Sequence, residues 1–209
     1  AEFEAQGLKP VVRFRVPEEK IFAWDDIVKG HIEIGAKEVG GDWVIQKADG
    51  MPTYNFANVI DDHLMEITHI MRGAEFITST PKYILLYQSY GWDVPTFIHL
   101  APVMGKNEDG SVSKLSKRHG ATSFDDLVKL GYLPEAITNY VALLGWNPKT
   151  TNQEIFSMDE LIKYFSLDGL SKSPAVFDYD KLGWINGEYF KSMTDADFAS
   201  QSHAYAGDL

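Results

Sequence analysis

Residues 67–104, ITHIMRGAEFITSTPKYILLYQSYGWDVPTFIHLAPVM, decide the fold of this chain. Two apolar runs, 67–73 and 97–104, have the length and composition of buried strands. The segment between them, 75–90, predicts a helix that stops at Gly91, because glycine readily adopts the left-handed conformation that closes a helix. A strand, a helix and a second strand in this order predict an α/β fold with parallel strands, whose ligands lie beyond the carboxyl ends of the strands.

The segment before this unit is rich in strand signals. Residues 11–16 alternate in polarity, and residues 21–34 alternate again in two pieces around a turn at Lys29-Gly30. A further short strand over 43–47 is closed by Asp49-Gly50, a strong turn signal. A helix is then predicted over 54–65, where apolar residues recur at helical spacing.

The segment after residue 121 predicts helices. The candidates are 124–130, 134–144, 158–164 and 178–186. We therefore place a domain boundary near Ala121.

Composition bounds the class of protein. The 209 residues suffice for one large domain or two modest ones, and a charge of −11 argues against a surface that binds nucleic acid everywhere. The chain has no cysteine, so it contains neither a disulfide nor a thiolate zinc site. No apolar run is long enough to span a membrane and no signal peptide is recognisable, so we expect a soluble, cytoplasmic protein.

A cationic loop stands out against this acidic background. It reads Lys114-Leu115-Ser116-Lys117-Arg118-His119-Gly120, and we call it the lysine loop. Lysine ammonium groups and the backbone amides near serine and glycine suit a polyphosphate. A charged hairpin tip that only aids solubility is the alternative.

A second polar set combines Tyr54, Asn58 and Asp62, which are spaced at i, i+4 and i+8, with Arg72 at a strand end. A guanidinium fork matches the two oxygens of a small carboxylate, and phenol and amide groups add directed hydrogen bonds. The alternative is a structural bridge from Arg72 to Asp61, Asp62 or Glu75. Both Arg72 and the lysine loop follow strand ends, which favours one shared site.

Other titratable groups receive structural interpretations. Asp61-Asp62-His63 cannot all face one ion, because adjacent helical residues point about 100° apart, so we expect no metal site. We interpret His69 as a core histidine, and His31 and His99 have no obvious partner in the sequence.

Several spaced motifs closely resemble bacterial glutamyl-tRNA synthetases, a family of class I aminoacyl-tRNA synthetases. The matching segments, which extend the resemblance over residues 8 to 190, are 52–63, 68–73, 114–120, 131–136, 144–146 and 170–175. The resemblance implies the second half of a Rossmann-type catalytic domain over 53–121. It also implies the remainder of a β-rich tRNA-acceptor-binding insertion over 1–52 and a helical stem-contact region over 122–209.

The resemblance also implies roles for single residues. The lysine loop corresponds to the family's Lys-Met-Ser-Lys-Ser loop, with Lys114 and Lys117 catalytic. The ATP-binding residues would be Val103, Met104, Lys114, Ser116, Lys117 and Arg118. The glutamate-binding residues would be Tyr54, Asn58 and Arg72, with Glu75 and Phe76 beside that pocket. Implied partners are L-glutamate, ATP with Mg²⁺ and the acceptor arm of tRNA(Glu). The resemblance further implies a monomer that does not bind a membrane and has no zinc site within this chain.

One departure from the family pattern affects activity. The chain contains no His-x-Gly-His motif, which the family carries in the first half of its Rossmann fold. We therefore expect an internal fragment that has little or no aminoacylation activity on its own. Glutaminyl-tRNA synthetase, glutamyl-queuosine tRNA(Asp) synthetase and a non-catalytic tRNA-acceptor-binding module stay open as alternatives, although Arg72 and Lys117 together favour the glutamyl enzyme.

Overall fold

The structure is a computed structural model that describes residues 5–7, 9–120 and 122–206, so the boundary predicted near Ala121 falls outside the described residues. The chain divides into two compact units, Ala1–Leu100 and Ala101–Leu209. Each unit has its own core of buried side chains. The division into 1–52, 53–121 and 122–209 stays a prediction.

The first unit combines strand pairs with two helices. Its elements are β1 (Val12–Phe14), β2 (Ile21–Asp26), β3 (Gly30–Gly35), β4 (Trp43–Gln46), α1 (Tyr54–Leu64), β5 (His69–Gly73), α2 (Thr80–Tyr90) and β6 (Thr96–Leu100). Strands β1 and β4 are antiparallel, and β2 and β3 form an antiparallel hairpin. Strands β5 and β6 pair in parallel, which confirms the parallel unit predicted from residues 67–104.

The parallel unit follows from its local sequence. Gly91 has φ +69°, the left-handed conformation expected where a helix stops. Helix α2 is buried from Thr80 to Tyr87 except at Lys82, and its Leu86 and Tyr87 belong to a core that also includes Phe22 and Phe97 from the strands. The carboxyl ends of β5 and β6 therefore meet beside a helix that cannot shift without disturbing the core.

Two boundaries of the predicted parallel unit were wrong. The segment predicted as a helix from residue 75 begins as a short 3₁₀ turn, Ala74–Ser79, and becomes α-helical only at Thr80. The single strand predicted over 97–104 is two strands, because β6 ends at Leu100 and β7 begins at Val103. Pro102 lies in the gap, where its missing N–H would have interrupted a strand ladder.

The second unit has a small sheet and five helices in the described part of the chain. Its strands are β7 (Val103–Lys106), β8 (Val112–Lys114) and β9 (Ala175–Val176), in the order β8-β7-β9. Its helices are α3 (Phe124–Lys129), α4 (Pro134–Gly145), α5 (Met158–Tyr164), α6 (Tyr179–Ser192) and α7 (Asp195–Ala206). The core packs α4 against α6 around Ala136, Tyr140, Leu182 and Ile185.

The helices of the second unit confirm most of the sequence prediction. Helix α5 has the predicted bounds, and α3 and α4 each differ from theirs by one residue. The expectation of helices alone was wrong, because β9 pairs in parallel with β7. The end predicted for α6 was also wrong, because the helix continues to Ser192 instead of stopping near residue 186. Across the described ranges, no helix is long and apolar enough to cross a bilayer.

Candidate functional site

Arg72 is held at the carboxyl end of β5 by three neutral acceptors. Its Nε donates to Nε2 of His99 at 3.1 Å, and its Nη2 donates to Oγ1 of Thr80 at 2.7 Å and to the carbonyl oxygen of Phe76 at 3.4 Å. The Thr80 hydroxyl in turn donates to the same Phe76 carbonyl at 3.2 Å. The guanidinium position is thus fixed by β6 and by the first turns that follow β5.

Aromatic rings enclose the same guanidinium. Its Cζ lies 4.5 Å from the ring centre of Tyr83, 5.4 Å from that of Phe97 and 5.6 Å from that of Phe76. Ring faces attract a cation through their quadrupole but carry no negative charge. Burial lowers the pKa of Arg72, and the nearby Tyr83, Tyr54 and Asp62 oppose that shift.

Arg72 has no carboxylate within 4.0 Å in the described part of the chain. The alternative in which it forms a salt bridge with Asp61, Asp62 or Glu75 was therefore wrong. Arg72 is half-buried, and a charge that is partly removed from water without a counter-ion carries a free-energy cost. The arrangement leaves a positive charge that an anionic ligand can neutralise.

His99 links Arg72 to a buried carboxylate of the β2–β3 hairpin. The Nδ1 of His99 lies 2.6 Å from Oδ2 of Asp26, and both side chains are fully buried. Asp26 also accepts hydrogen bonds from the backbone N–H groups of Val28, Lys29 and His99. Burial alone would raise the pKa of Asp26, but these hydrogen bonds outweigh it and the pKa is lowered.

The contacts define the protonation state of His99. Arginine can only donate, so Nε2 of His99 must be the acceptor and Nδ1 carries the proton that is donated to Asp26. Burial lowers the pKa of His99, partly against the effect of Asp26, and Arg72 lowers it further. His99 is thus a neutral imidazole between a carboxylate and a guanidinium.

Helix α1 supplies the other predicted ligands of a carboxylate. Tyr54 and Asn58 are one turn apart, and Tyr54 is 66% exposed. The Oδ1 of Asn58 is buried and has no hydrogen-bond partner within the residues described. An acceptor without a partner costs free energy unless a ligand completes it. The neighbouring Asn55 is engaged, because its Oδ1 accepts from the Tyr83 hydroxyl at 2.8 Å.

Glu75 and Phe76 lie in the 3₁₀ turn that follows β5, the strand that carries Arg72. The Phe76 carbonyl and ring both contact the guanidinium, whereas Glu75 is exposed in the 3₁₀ turn. A side chain at Gly73 would overlap the Glu75 carboxylate. A larger residue at this position would therefore require the exposed Glu75 side chain to move.

The predicted ATP ligands come together on the β7–β8 hairpin of the second unit. Met104 is paired with Lys114 in the ladder, and the backbone N–H of Leu115 donates to the Val103 carbonyl at 2.9 Å. Lys117 and Arg118 follow in a short 3₁₀ turn, Lys117–His119. The side chains of Lys114, Ser116, Lys117 and Arg118 are exposed, so they can reach a ligand.

His119 anchors the lysine loop, and the sequence analysis assigned it no role. Its Nδ1 accepts from the backbone N–H of Ser116 at 3.0 Å, and its Nε2 lies 2.9 Å from Oδ1 of Asn107 across the hairpin. The ring packs on Gly105, where a Cβ would approach it to 2.7 Å. Its carbonyl accepts from the Tyr179 hydroxyl at 3.2 Å. A glycine inside a strand pattern is the sequence signal that marks such a close approach.

The remaining histidines differ from their interpretation. His69 is exposed beside Thr68, so its assignment to the core was wrong, and the buried histidine is His99. His31 was expected to have no partner, yet it bonds to Asp25 at 2.7 Å and to Glu33 at 3.3 Å. His63 stacks on Trp92 with ring centres 3.6 Å apart. No cluster of three or more potential metal ligands occurs among the residues whose placement is described.

Arg72 and the lysine loop lie in different units, and each set is described within its own unit. The structure brings Arg72, Tyr54, Asn58 and Phe76 into one unit and the hairpin residues into the other. That the two sets share one cleft stays a prediction.

The parallel α/β unit, the arginine at its strand end and the exposed cationic loop were compared with known proteins, and the comparison identifies the class. Residues 1–184 match the family model described as tRNA synthetases class I (E and Q), catalytic domain. The chain belongs to this family.

The relatives that match this chain within the family are glutamate–tRNA ligases. A glutamate–tRNA ligase of Leuconostoc mesenteroides is 59% identical over 198 residues, and one of Clostridium novyi is 48% identical over 200 residues. A crystal structure of a glutamate–tRNA ligase from Elizabethkingia meningosepticum, in complex with its amino acid, has a TM-score of 0.85 at 38% identity. The matches cover 94%, 96% and 94% of this chain, but only 39%, 39% and 41% of the relatives. The resemblance to glutamyl-tRNA synthetases is confirmed, and the chain spans about two fifths of the length of such proteins.

Proposed function

We propose that this chain is part of a glutamate–tRNA ligase, which activates L-glutamate with ATP and transfers it to the 3′ end of tRNA(Glu). The observation that carries the proposal is the half-buried Arg72 guanidinium, which has no carboxylate within 4.0 Å in the described chain. The glutamate side chain would supply the missing negative charge. The relatives that match this chain are glutamate–tRNA ligases, which supports the same substrate.

The amino-acid side of the site is built to bind a charged side chain. Nε and Nη2 of Arg72 are already donated to protein acceptors, so the proposal assigns Nη1 to a glutamate oxygen. Tyr54 and Asn58 would bind the rest of the amino acid, using a phenol that is exposed and an amide oxygen that has no partner among the described residues. Glutamine is disfavoured, because its neutral amide leaves the half-buried cation uncompensated.

The lysine loop would bind the triphosphate. The α-carboxylate of glutamate attacks the α-phosphorus of ATP, the bond to the bridging oxygen breaks, and pyrophosphate leaves with the developing charge. Lys117 and Lys114 would stabilise that charge, with Ser116 and Arg118 as further donors. Val103 and Met104 would lie beside the adenine. ATP is proposed to arrive as its Mg²⁺ complex, and no residue is assigned to the ion.

The finer organisation belongs to the same proposal. Residues 1–52 would contact the tRNA acceptor arm, 53–121 would form the catalytic half-domain and 122–209 would contact the stem. A cytoplasmic monomer is expected. The described strand pairs β1–β4 and β2–β3 give the first region the β-rich character on which this assignment rests.

Calorimetric titration of the 209-residue chain with a glutamyl-adenylate analogue, L-glutamate and ATP tests the proposal. In Arg72→Cys, binding of L-glutamate should weaken by at least about thirtyfold, because a partly buried charge-assisted pair is lost. ATP affinity should stay within about threefold, since its ligands lie on the lysine loop. Arg15→Cys, at an exposed arginine of the same unit, is the matched control and should change neither affinity.

Two outcomes contradict the proposal. One is an equal loss of glutamate and ATP binding in Arg72→Cys. The other is a wild-type chain that binds L-glutamine as tightly as L-glutamate, which would favour the glutaminyl enzyme.

A further inference from the structure

We propose that His99, itself held by Asp26, is the positioning residue that orients Arg72 toward the substrate carboxylate. The inference rests on the proposed function in one respect, namely that Arg72 binds that carboxylate. His99 and Asp26 do not touch the substrate in this proposal. They act through the guanidinium.

The register of the sheet places His99 where this role requires it. Arg72 and His99 are direct partners in the parallel ladder between β5 and β6. Their side chains lie on the same face, and the Nε of Arg72 reaches Nε2 of His99 at 3.1 Å. Because Nε is the first nitrogen of the guanidinium, a hydrogen bond there fixes the rotation of the whole planar group.

The orientation determines which donors stay available. A guanidinium has five N–H donors in a rigid plane. His99 takes the donor on Nε, and Thr80 and the Phe76 carbonyl take those on Nη2. These bonds engage Nε and Nη2, and the proposal assigns Nη1 to the ligand. Without the bond to His99, the guanidinium could rotate and offer Nε and Nη2 to a different direction.

Asp26 keeps His99 in the form that can accept from an arginine. Its Oδ2 takes the Nδ1 proton at 2.6 Å, so the other ring nitrogen is left with its lone pair. Both side chains have no exposed surface, so water cannot replace either partner. A carboxylate 73 residues away in sequence therefore sets the tautomer of the imidazole that holds Arg72.

A purely structural role for the pair makes a different prediction. The same contacts join the β2–β3 hairpin to β6, supported by a backbone bond from Ile27 to Phe97 at 3.2 Å. If joining strands were the only role, any residue that keeps the bond to Asp26 would serve. If orientation is the role, the acceptor for Arg72 is the essential part.

Two substitutions separate these possibilities, because each keeps one half of the imidazole. In His99→Asn the amide nitrogen replaces Nδ1, so the donor to Asp26 is kept and the acceptor for Arg72 is lost. In His99→Gln the amide oxygen lies near the place of Nε2, so the acceptor is kept and the donor is lost. His31→Asn is the matched control, since His31 is an exposed histidine bonded to Asp25 on the same hairpin.

The first measurement is side-chain NMR of the nitrogen-labelled 209-residue chain without ligand. In the wild type, Nε2 of His99 should resonate as an unprotonated nitrogen and the Arg72 Nε–H should exchange slowly with water. His99→Asn should accelerate that exchange by at least about tenfold, the equivalent of one hydrogen bond to a charged group. His99→Gln and His31→Asn should keep the protection within about threefold. Equal Arg72 exchange in the wild type and His99→Asn would overturn the inference.

The second measurement is titration with L-glutamate and ATP. His99→Asn should weaken glutamate by about tenfold and leave ATP unchanged, while His99→Gln recovers most of the glutamate affinity. If the wild type binds L-glutamate and the two variants bind it with equal affinity, the inference is overturned and the proposed function stands. A wild-type chain without glutamate affinity would overturn the proposed function, and the NMR result would then decide the geometry of Arg72 alone.

Discussion

At the residue scale, Arg72 is a half-buried cation with no carboxylate within 4.0 Å in the described part of the chain. The neutral surroundings of Arg72 comprise an imidazole, a hydroxyl, a carbonyl and three aromatic rings. Such groups hold a guanidinium in place without neutralising it. A carboxylate at the same position would neutralise the guanidinium and compete with any anionic ligand.

The buried His99–Asp26 pair predicts how stability depends on pH. The folded-state pKa of His99 lies below its ordinary value of 6.5, so as pH falls through 6.5 the unfolded chain takes up a proton that the folded chain does not. The free energy of unfolding should therefore fall on acidification, by up to about 1.4 kcal/mol per pH unit for one proton. Asp26, whose pKa is also lowered, adds a further loss only below about its ordinary value of 3.8.

Urea unfolding of the wild type and His99→Gln between about pH 8 and pH 5 checks this prediction. The wild type should lose stability more steeply, because the variant lacks the titrating imidazole. His31→Asn is expected to act in the opposite direction, since hydrogen bonds to Asp25 and Glu33 raise the pKa of His31 and stabilise the fold at low pH. Parallel pH profiles for wild type and His99→Gln would contradict the assignment of His99 as neutral.

The sequence predicted half of this network. Arg72 was predicted as an anion ligand because it follows an apolar strand and matches a family motif. His99 lies in an equally apolar strand, but nothing local shows that Asp26 approaches it, since the two are 73 residues apart. His69 was placed in the core for the same lack of tertiary information, because an apolar neighbourhood does not reveal which strand end is exposed.

At the scale of elements, the β7–β8 hairpin is the support of the lysine loop. His119 returns from the end of the loop to bond Ser116 at its start and Asn107 across the hairpin. Strand β7 accommodates the ring only because Gly105 has no side chain. The conformation of the loop is thus set by a contact with the strand below it.

Gly105→Ala is expected to displace His119 and release the loop. The new Cβ would lie 2.7 Å from the ring, so overpacking should destabilise the second unit by about 1–3 kcal/mol. Gly183→Ala in α6 is the matched control, because its Cβ meets nothing within 4 Å. The higher helix propensity of alanine should raise the free energy of unfolding of this variant by up to about 1 kcal/mol. Denaturant unfolding gives the stabilities, and hydrogen exchange at Ser116 reports the loop. Unchanged protection of the Ser116 amide in Gly105→Ala would show that His119 does not hold it.

Elements whose ends carry their own signals were predicted well. Helix α5 begins at a capping box in which Ser157 and Glu160 bond to each other's backbone N–H, and α2 ends at Gly91. Strand β9 was missed, because its two residues pair only with a distant strand. The strand over 97–104 was not divided, although Pro102 was visible, because the apolar run continues through it.

At the scale of the whole molecule, each compact unit has a core drawn from its own residues. Leu86 is fully buried in the first core, and Leu182 is fully buried in the second. The motifs shared with the synthetases occur in both units, so the family match over residues 1–184 does not show where the cores divide. The two separate clusters of buried side chains show where the cores divide.

Truncating one core at a time tests whether each unit is stabilised by its own residues. Leu86→Ala and Leu182→Ala should each cost about 2–5 kcal/mol, the usual loss for a buried leucine. Native-state hydrogen exchange should show reduced protection in residues 9–100 for the first variant and in residues 122–202 for the second. Uniform loss along the chain in both variants would indicate a single cooperative structure instead.

The bond between Asp26 and His99 has a consequence for anyone who trims this protein to a minimal binder. A fragment of residues 53–121 would contain Tyr54, Asn58, Arg72 and the lysine loop, and would therefore include all of these proposed ligands. It would nevertheless remove Asp26, the acceptor of the Nδ1 proton of His99, together with the hairpin that carries it. A shortened version should therefore keep the β2–β3 hairpin, or replace His99 by glutamine, which keeps the acceptor for Arg72 without the bond to Asp26.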